Sequence, residues 1–184
     1  MIQNSPQKHT TQSHLATIAL GANIDSSVGA PAATLAAAIE RLSTLGLLLA
    51  QSSIWRTPPV GFAHQPWFHN AVVQLRTALP PASMLQNLLG IEAIFGRDRS
   101  AALPNGPRTL DLDLLLFDDV ILATAELALP HPRLTERAFV LLPLAEIAPT
   151  LIHPITRRTI AEHLADLPAA DRDACTRIAG TRTA

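Results

Sequence analysis

Lysine is almost absent from this 184-residue chain. Lys8 is the only one among 14 basic residues; the other 13 are arginines. A Walker A loop, a protein kinase and a Schiff-base enzyme each need a positioned lysine. Lys8 lies in a polar N-terminal stretch that carries no such motif, so those classes are excluded. Cysteine is equally scarce. Cys175 stands alone, which leaves no internal disulfide, no CxxC pair and no Cys-rich zinc or iron–sulfur site, a usage that suits a reducing compartment. No apolar run approaches the ~18 residues of a membrane-spanning helix. A formal net charge of -1 gives a nucleic-acid binder no bulk electrostatics to work with. The stretch Leu15–Ala22 is apolar, but it follows a tail with one charge and no cleavage-site pattern comes after it. It reads as a strand and not a signal peptide, and the expected location is the cytoplasm.

What is present is enough for a core. Hydrophobic residues make up 48% of the chain and the mean hydropathy is +0.23, which excludes a disordered chain. The expected organisation is a disordered tail over residues 1–13, one domain over 14–168 and a loosely ordered tail over 169–184. Leu15–Leu20 reads as a buried strand. Pro31–Leu42 reads as a helix with proline in its first turn and Leu35, Ala38, Ile39 and Leu42 on one stripe. Leu47–Arg56 and Trp67–Thr77 read as strands, the first stopped by Pro58-Pro59. In the second, Ala71, Val73 and Leu75 share one face and Phe68, Asn70, Val72 and Gln74 the other. Ala82–Phe95 reads as a second amphipathic helix, stopped at Gly96, and Thr109–Phe117 as a strand. Val120–Leu129 reads as a hairpin, and Arg137–Ile147 and Thr159–Leu167 as shorter helices. Strand, helix, strand, strand, helix, strand is the split βαβ order of an α+β, ferredoxin-like fold. It predicts an antiparallel sheet with helices packed on one face, extra C-terminal elements, and the other face free for ligands.

The most informative stretch runs from Gly106 to Phe117, GPRTLDLDLLLF. Alternation puts Asp111 and Asp113 on one side of a strand, about 7 Å apart, and Leu110, Leu112, Leu114 and Leu116 on the other. Two like charges in so apolar a strand cost several kcal/mol each, at order of magnitude, unless neutralised. A divalent cation shared with phosphate oxygens does this well, so the pattern predicts a two-metal phosphoryl-transfer site; the bland alternative is a solvated strand end. The segment Gly96 to Arg108 leads into this strand and carries Arg97, Arg99 and Arg108. It exceeds the usual connection of ~4–6 residues, and arginine forks match phosphate oxygens at any working pH. In the third feature, Phe68 and Asn70 share a strand face after Arg56-Thr57-Pro58-Pro59-Val60-Gly61. An aromatic platform beside an amide suits a flat heterocycle, although a strand phenylalanine is more often core. Pro130-His131-Pro132 shows no metal spacing, so His131 is not read as a zinc ligand. Glu92 reads either as a nucleotide contact or as a surface glutamate. No general base stands out.

Leu20-Gly21-Ala22-Asn23, Arg56-Thr57-Pro58-Pro59, GPRTLDLDLLLF, Pro130-His131-Pro132 and Phe139 to Pro149 (FVLLPLAEIAP) occur in that order. Together they closely resemble the 6-hydroxymethyl-7,8-dihydropterin pyrophosphokinases of folate biosynthesis, over roughly residues 15–155. The resemblance implies an enzyme in which the hydroxymethyl oxygen of the pterin attacks the β-phosphorus of ATP and AMP leaves. It implies two Mg2+ ions on Asp111 and Asp113, a catalytic role for Arg97 and Arg108, and ATP contacts from Glu92, Arg99, Arg108, His131 and Arg137. It also implies a pterin slot between Phe68 and Phe139, with Thr57, Pro58, Val60 and Asn70 at the pterin's edge. ATP and the pterin are then the only partners: no nucleic acid, no membrane, and a monomer. The chain departs from the family's common form in Asn105, where a tryptophan is frequent, in Phe68, where tyrosine is frequent, and in a loop about one residue longer. The alternative of another class is a non-catalytic ligand-sensing module on the same framework. A nucleotidyltransferase with the same two-metal logic differs in releasing pyrophosphate.

Overall fold

The structure is a computed structural model and describes residues 13–62, 64–99 and 105–178. Its sheet contains β1 (His14–Ala22), β2 (Leu47–Gln51), β3 (Trp55–Thr57), β4 (Phe68–Thr77), β5 (Asp111–Phe117) and β8 (Thr176–Arg177). The strand order is β5-β1-β4-β3-β8, with β2 also on β4, and every pairing is antiparallel. Between them run α1 (Pro31–Leu42) and α2 (Pro81–Ile94), each with proline in its first turn. β6 (Leu122–Ala123) and β7 (Ala128–Leu129) form the expected hairpin. A 3-10 turn (Leu134–Glu136), α3 (Ala138–Ile147), α4 (Ile160–Asp166) and α5 (Ala169–Asp173) follow. The expected split βαβ, ferredoxin-like order is therefore present.

Two apolar clusters sandwich the sheet. On the first face Ile18, Leu20, Val73, Leu75, Leu112 and Leu114 meet Leu35, Ile39 and Leu42 of α1 and Met84, Leu88 and Ile91 of α2. Gly96, at φ +81°, ends α2 in the left-handed region. On the second face Val72, Leu115 and Leu116 meet Val140, Leu141 and Leu144 of α3 and Ile160 at the start of α4. The C-terminal helices thus cover part of the face expected to be free, and the open remainder is the end nearest Gly21, Asn70 and Asp111.

Three local differences from the sequence reading have physical causes. In the β1–β5 ladder Thr17 pairs with Leu116 and Ile18 with Leu114, so Leu115 is an extra residue. A one-residue slip exchanges faces: Leu116 joins the second cluster and Phe117 the first. The predicted strand Leu47–Arg56 is two strands. At the break the Glu146 carboxylate of α3 accepts from the Ser53 N–H and hydroxyl (3.2 and 2.7 Å) and from Trp55 Nε1 (3.1 Å). Burial opposes the charge on Glu146, but these donors prevail and hold its pKa below the ordinary carboxylate value. The expected loose tail over 169–184 contains α5 and β8. The Ile178 N–H donates to the Ile54 carbonyl at 2.8 Å, and Ile178 packs on the first cluster; residues 179–184 lie outside the described residues. The tail expected over 1–13 lies outside them as well, except Ser13.

Gly90 sits exposed in the interior of α2, and a Cβ there meets nothing within 4 Å. Gly90→Ala is expected to stabilise the fold by about 0.5–1 kcal/mol. That is a rise of roughly 1–4 °C in Tm by calorimetry; an unchanged or lower Tm would contradict it.

Candidate active site

The ladders bring the site residues to one end of the sheet. Gly21 of β1 pairs with Asn70 on one side and Asp111 on the other, and Thr57 pairs with Phe68. Gly21 is needed as a flat floor: a Cβ on it would stand 2.9 Å from Asn70 Oδ1. Asn70 is held from the far side, its Nδ2 donating to Thr57 Oγ1 at 2.8 Å. The start of α3 closes the cleft opposite the sheet with Arg137 and Phe139. A cavity of about 270 Å³ results. It is lined by Thr57, Pro58, Val60, Phe68, Asn70, Arg97, Arg99, Arg108, Asp111, Asp113, His131, Arg137 and Phe139, together with Gly21, Asn105 and Arg133.

Asp111 accepts from Arg97 Nη1 and Arg108 Nη1, each at 2.5 Å. Asp113 is differently placed. Its carboxylate has Arg137 at 3.8 Å, beyond hydrogen-bond reach, and no hydrogen bond among the described residues. Burial first, and the Asp111 charge second, raise its pKa, against the pull of His131, Arg137 and Arg97. His131 is pushed the other way, its pKa lowered chiefly by burial. Its Nδ1 accepts from the Arg133 N–H at 3.2 Å, which assigns the proton of the neutral ring to Nε2. The Arg97 and Arg137 Nε atoms are buried without a hydrogen-bond partner among the described residues. Arg108 lies 5.5 Å from the Phe68 ring centre and Arg137 5.4 Å from that of Phe139, within cation–π range.

Glu92 does not line the cleft, and it is not a surface glutamate either: it is 1% exposed. It accepts from Arg99 Nε and Nη2 at 2.8 and 2.9 Å and from the Leu112 N–H at 2.8 Å. Burial raises its pKa against the contrary effect of these donors. Leu112 lies between the two aspartates, so Glu92 fixes from behind the strand that carries them. Asn23, for which the sequence offers only a place in a motif, is a second hidden anchor. Its Nδ2 donates to Gln65 Oε1 and the Pro66 carbonyl (2.9 and 3.0 Å), and its Oδ1 accepts from the Arg108 N–H at 2.8 Å. Gln65 Nε2 donates to the Phe62 and Asn105 carbonyls, both at 2.7 Å. One buried amide thus ties the end of β1, the β3–β4 loop and the approach to β5. Residues 100–104 of the arginine-bearing loop lie outside the described residues.

Among the described residues no cluster of three or more His, Cys, Asp or Glu could enclose a metal. The donor set is therefore a carboxylate pair on a strand, a partial shell of hard oxygens that leaves positions to phosphate and water. That is how Mg2+ is usually held. The orphaned arginine donors beside it are complementary to phosphate. The donors present fit a magnesium–phosphate group.

Residues 17–149 match the family model for 7,8-dihydro-6-hydroxymethylpterin-pyrophosphokinase. Among curated proteins, the 2-amino-4-hydroxy-6-hydroxymethyldihydropteridine pyrophosphokinase of Methylorubrum extorquens is 45% identical over 154 residues, 83% of this chain and 92% of that one. Proteins of the same description from Synechocystis and Pseudomonas aeruginosa are each 41% identical. The Synechocystis match covers 86% of this chain and 78% of that one, the Pseudomonas match 83% and 89%. The crystal structure of Plasmodium falciparum HPPK-DHPS with pteroate shares the fold at a TM-score of 0.66 and 16% identity, over 84% of this chain and 42% of that one.

Asn23→Ala removes one acceptor and two donor contacts at a buried position, leaving the Arg108 N–H and the Pro66 carbonyl without their partner. A loss of roughly 1–3 kcal/mol is expected, read as a lower urea midpoint. Wild-type stability in this variant would show that the three segments do not depend on the amide.

Proposed function

The chain belongs to the 7,8-dihydro-6-hydroxymethylpterin-pyrophosphokinase family, and on that premise we propose that it carries out magnesium-dependent pyrophosphoryl transfer from ATP to 6-hydroxymethyl-7,8-dihydropterin in folate biosynthesis. In this reading a bond forms between the pterin's hydroxymethyl oxygen and the β-phosphorus of ATP. The bond from that phosphorus to the α–β bridging oxygen breaks, AMP leaves, and the hydroxyl proton passes to water. The observation that carries it is a single cleft in which Asp111 and Asp113 stand on one strand face among arginines, with Phe68, Phe139 and Asn70 beside them.

Phe68 and Phe139 offer apolar ring faces to the pterin. Asn70, held by Thr57, offers its edge an amide, with the backbone of Thr57, Pro58 and Val60 completing that contact. Asp111 and Asp113 would hold two Mg2+ ions, whose chemistry when bound is neutralisation of phosphate charge. Arg108 takes phosphate oxygens. Arg97, whose Nε is a spare donor, assists where charge builds at the transferred group. His131 donates from Nε2, Arg137 donates from the α3 wall, and Arg99, braced by Glu92, faces the nucleotide. Such a reaction asks the protein chiefly for alignment and charge complementarity, and these residues supply both.

The catalytic domain is read as beginning at residue 14 and running past the expected end at 168, because β8 pairs with β3. Among the described residues no helix is long and apolar enough to cross a membrane, and the solitary thiol suits a cytoplasmic enzyme. Action as a monomer belongs to the same reading. The non-catalytic alternative has no support from relatives named for the enzyme across most of their length.

Asp111→Ala and Asp113→Ala are each expected to lower kcat by about 10²–10³ or more in an assay of AMP release from MgATP and the pterin alcohol. AMP as the nucleotide product supports the reading. Released pyrophosphate would mark a nucleotidyltransferase instead, and full turnover by Asp113→Ala would refute the role of the carboxylates.

A further inference from the structure

Most arginines of the cleft are already engaged. Arg97 and Arg108 each hold Asp111 at 2.5 Å. Arg99 grips the buried Glu92. Arg137 lies over the Phe139 ring, with Asp113 at 3.8 Å, beyond hydrogen-bond reach. Arg133 also lines the cleft, yet its one carboxylate contact among the described residues is Glu136 at 3.7 Å. Both side chains are largely in solvent, 49% and 65% exposed. An exposed pair at that separation contributes little, so the guanidinium is available to another anion.

Its base is fixed while its arm is not. The Arg133 N–H donates to His131 Nδ1 at 3.2 Å. The His131 N–H in turn donates to the Leu115 carbonyl of β5 at 2.8 Å. On the other side Leu134 is fully buried in the second cluster. The residue therefore springs from a turn bolted to the strand of the carboxylates, and only its side chain has freedom to lose on binding. Its charge also converges on that of its neighbours. Arg133 contributes, after burial, to lowering the pKa of Arg137, and more weakly that of His131. Positive groups gathered at the mouth of a cleft repel one another, and a polyanion entering there relieves that repulsion.

We propose that Arg133 is a phosphate-recognition residue of this cleft, donating to the triphosphate of the nucleotide. The inference rests on the pyrophosphotransfer reading above and adds to it a nucleotide contact that is not borrowed from a metal-binding carboxylate. Such a contact, fork to phosphate, acts on nucleotide affinity and leaves the pterin slot alone.

The test is a titration of wild type and Arg133→Ala with magnesium and α,β-methylene-ATP, whose α–β link cannot be cleaved, at several salt concentrations. Arg133→Ala is expected to bind roughly tenfold more weakly with a shallower salt dependence, Arg133→Lys to recover part of the loss, and pterin affinity to stay at the wild-type value. Equal nucleotide affinity and equal salt dependence would overturn the proposal, as would a parallel loss of pterin affinity, which marks a merely structural role. If wild type forms no AMP from MgATP and the pterin alcohol, the pyrophosphotransfer reading fails and Arg133's role fails with it. If wild type is active and Arg133→Ala is indifferent, the role of Arg133 alone fails.

Discussion

Two carboxylates share one face of a strand whose other face is core, and the rest of the cleft answers their charge. At about 7 Å and an effective dielectric of about 20, their mutual repulsion is roughly 2 kcal/mol. Each charge-assisted hydrogen bond offsets roughly 1.5–3 kcal/mol. The two arginines on Asp111 therefore outweigh the repulsion, and Asp111 is settled by the protein itself. Asp113 is not settled in this way. It is left half-buried, its proton affinity raised by burial and by Asp111, with lone pairs turned to the cleft. The pair is asymmetric, one member anchored and one available.

Holding that asymmetry falls to residues that do not face the cleft. Glu92 bonds the N–H between the two aspartates and braces Arg99. Asn23 binds the backbone of Arg108 and the loop beyond β3. Gly21 keeps the space between Asn70 and Asp111 clear of a side chain. Each acts on a segment that carries a functional group, so the cleft's precision lies in backbone held from behind. The second apolar cluster does the same on a larger scale: α3 packs on Val72, Leu115 and Leu116 and so sets Phe139 and Arg137 opposite the sheet.

The fold was legible because its cues are local. Proline openings, a 3.6-residue stripe on α1, the Gly96 stop and the alternation in β4 are written within single elements. The candidate site was legible for a related reason: strand alternation alone places Asp111 with Asp113 and Phe68 with Asn70. What was missed depends on partners distant in sequence. Nothing local announces that Leu115 bulges, that Glu146 splits a strand from 91 residues away at Trp55, or that Ile178 finds Ile54. A glutamate on a helix is usually solvated, so the sequence alone marks Glu92 as a surface or ligand residue. Its burial follows from an amide of β5 that only the folded sheet supplies. Arg133 gave no signal beyond its charge, since its position at the cleft comes from a turn pinned to β5.

In the proposed reaction Asp113, with Asp111, joins the nucleotide's phosphates to the protein through divalent cations. Calorimetric titration with α,β-methylene-ATP, with magnesium and then with a chelator, on wild type and Asp113→Asn, tests it most directly. The account predicts tight binding to wild type that collapses with the chelator, and weak binding to Asp113→Asn that hardly responds to magnesium. Wild-type affinity unchanged by the chelator, or Asp113→Asn binding as tightly as wild type in magnesium, would contradict it.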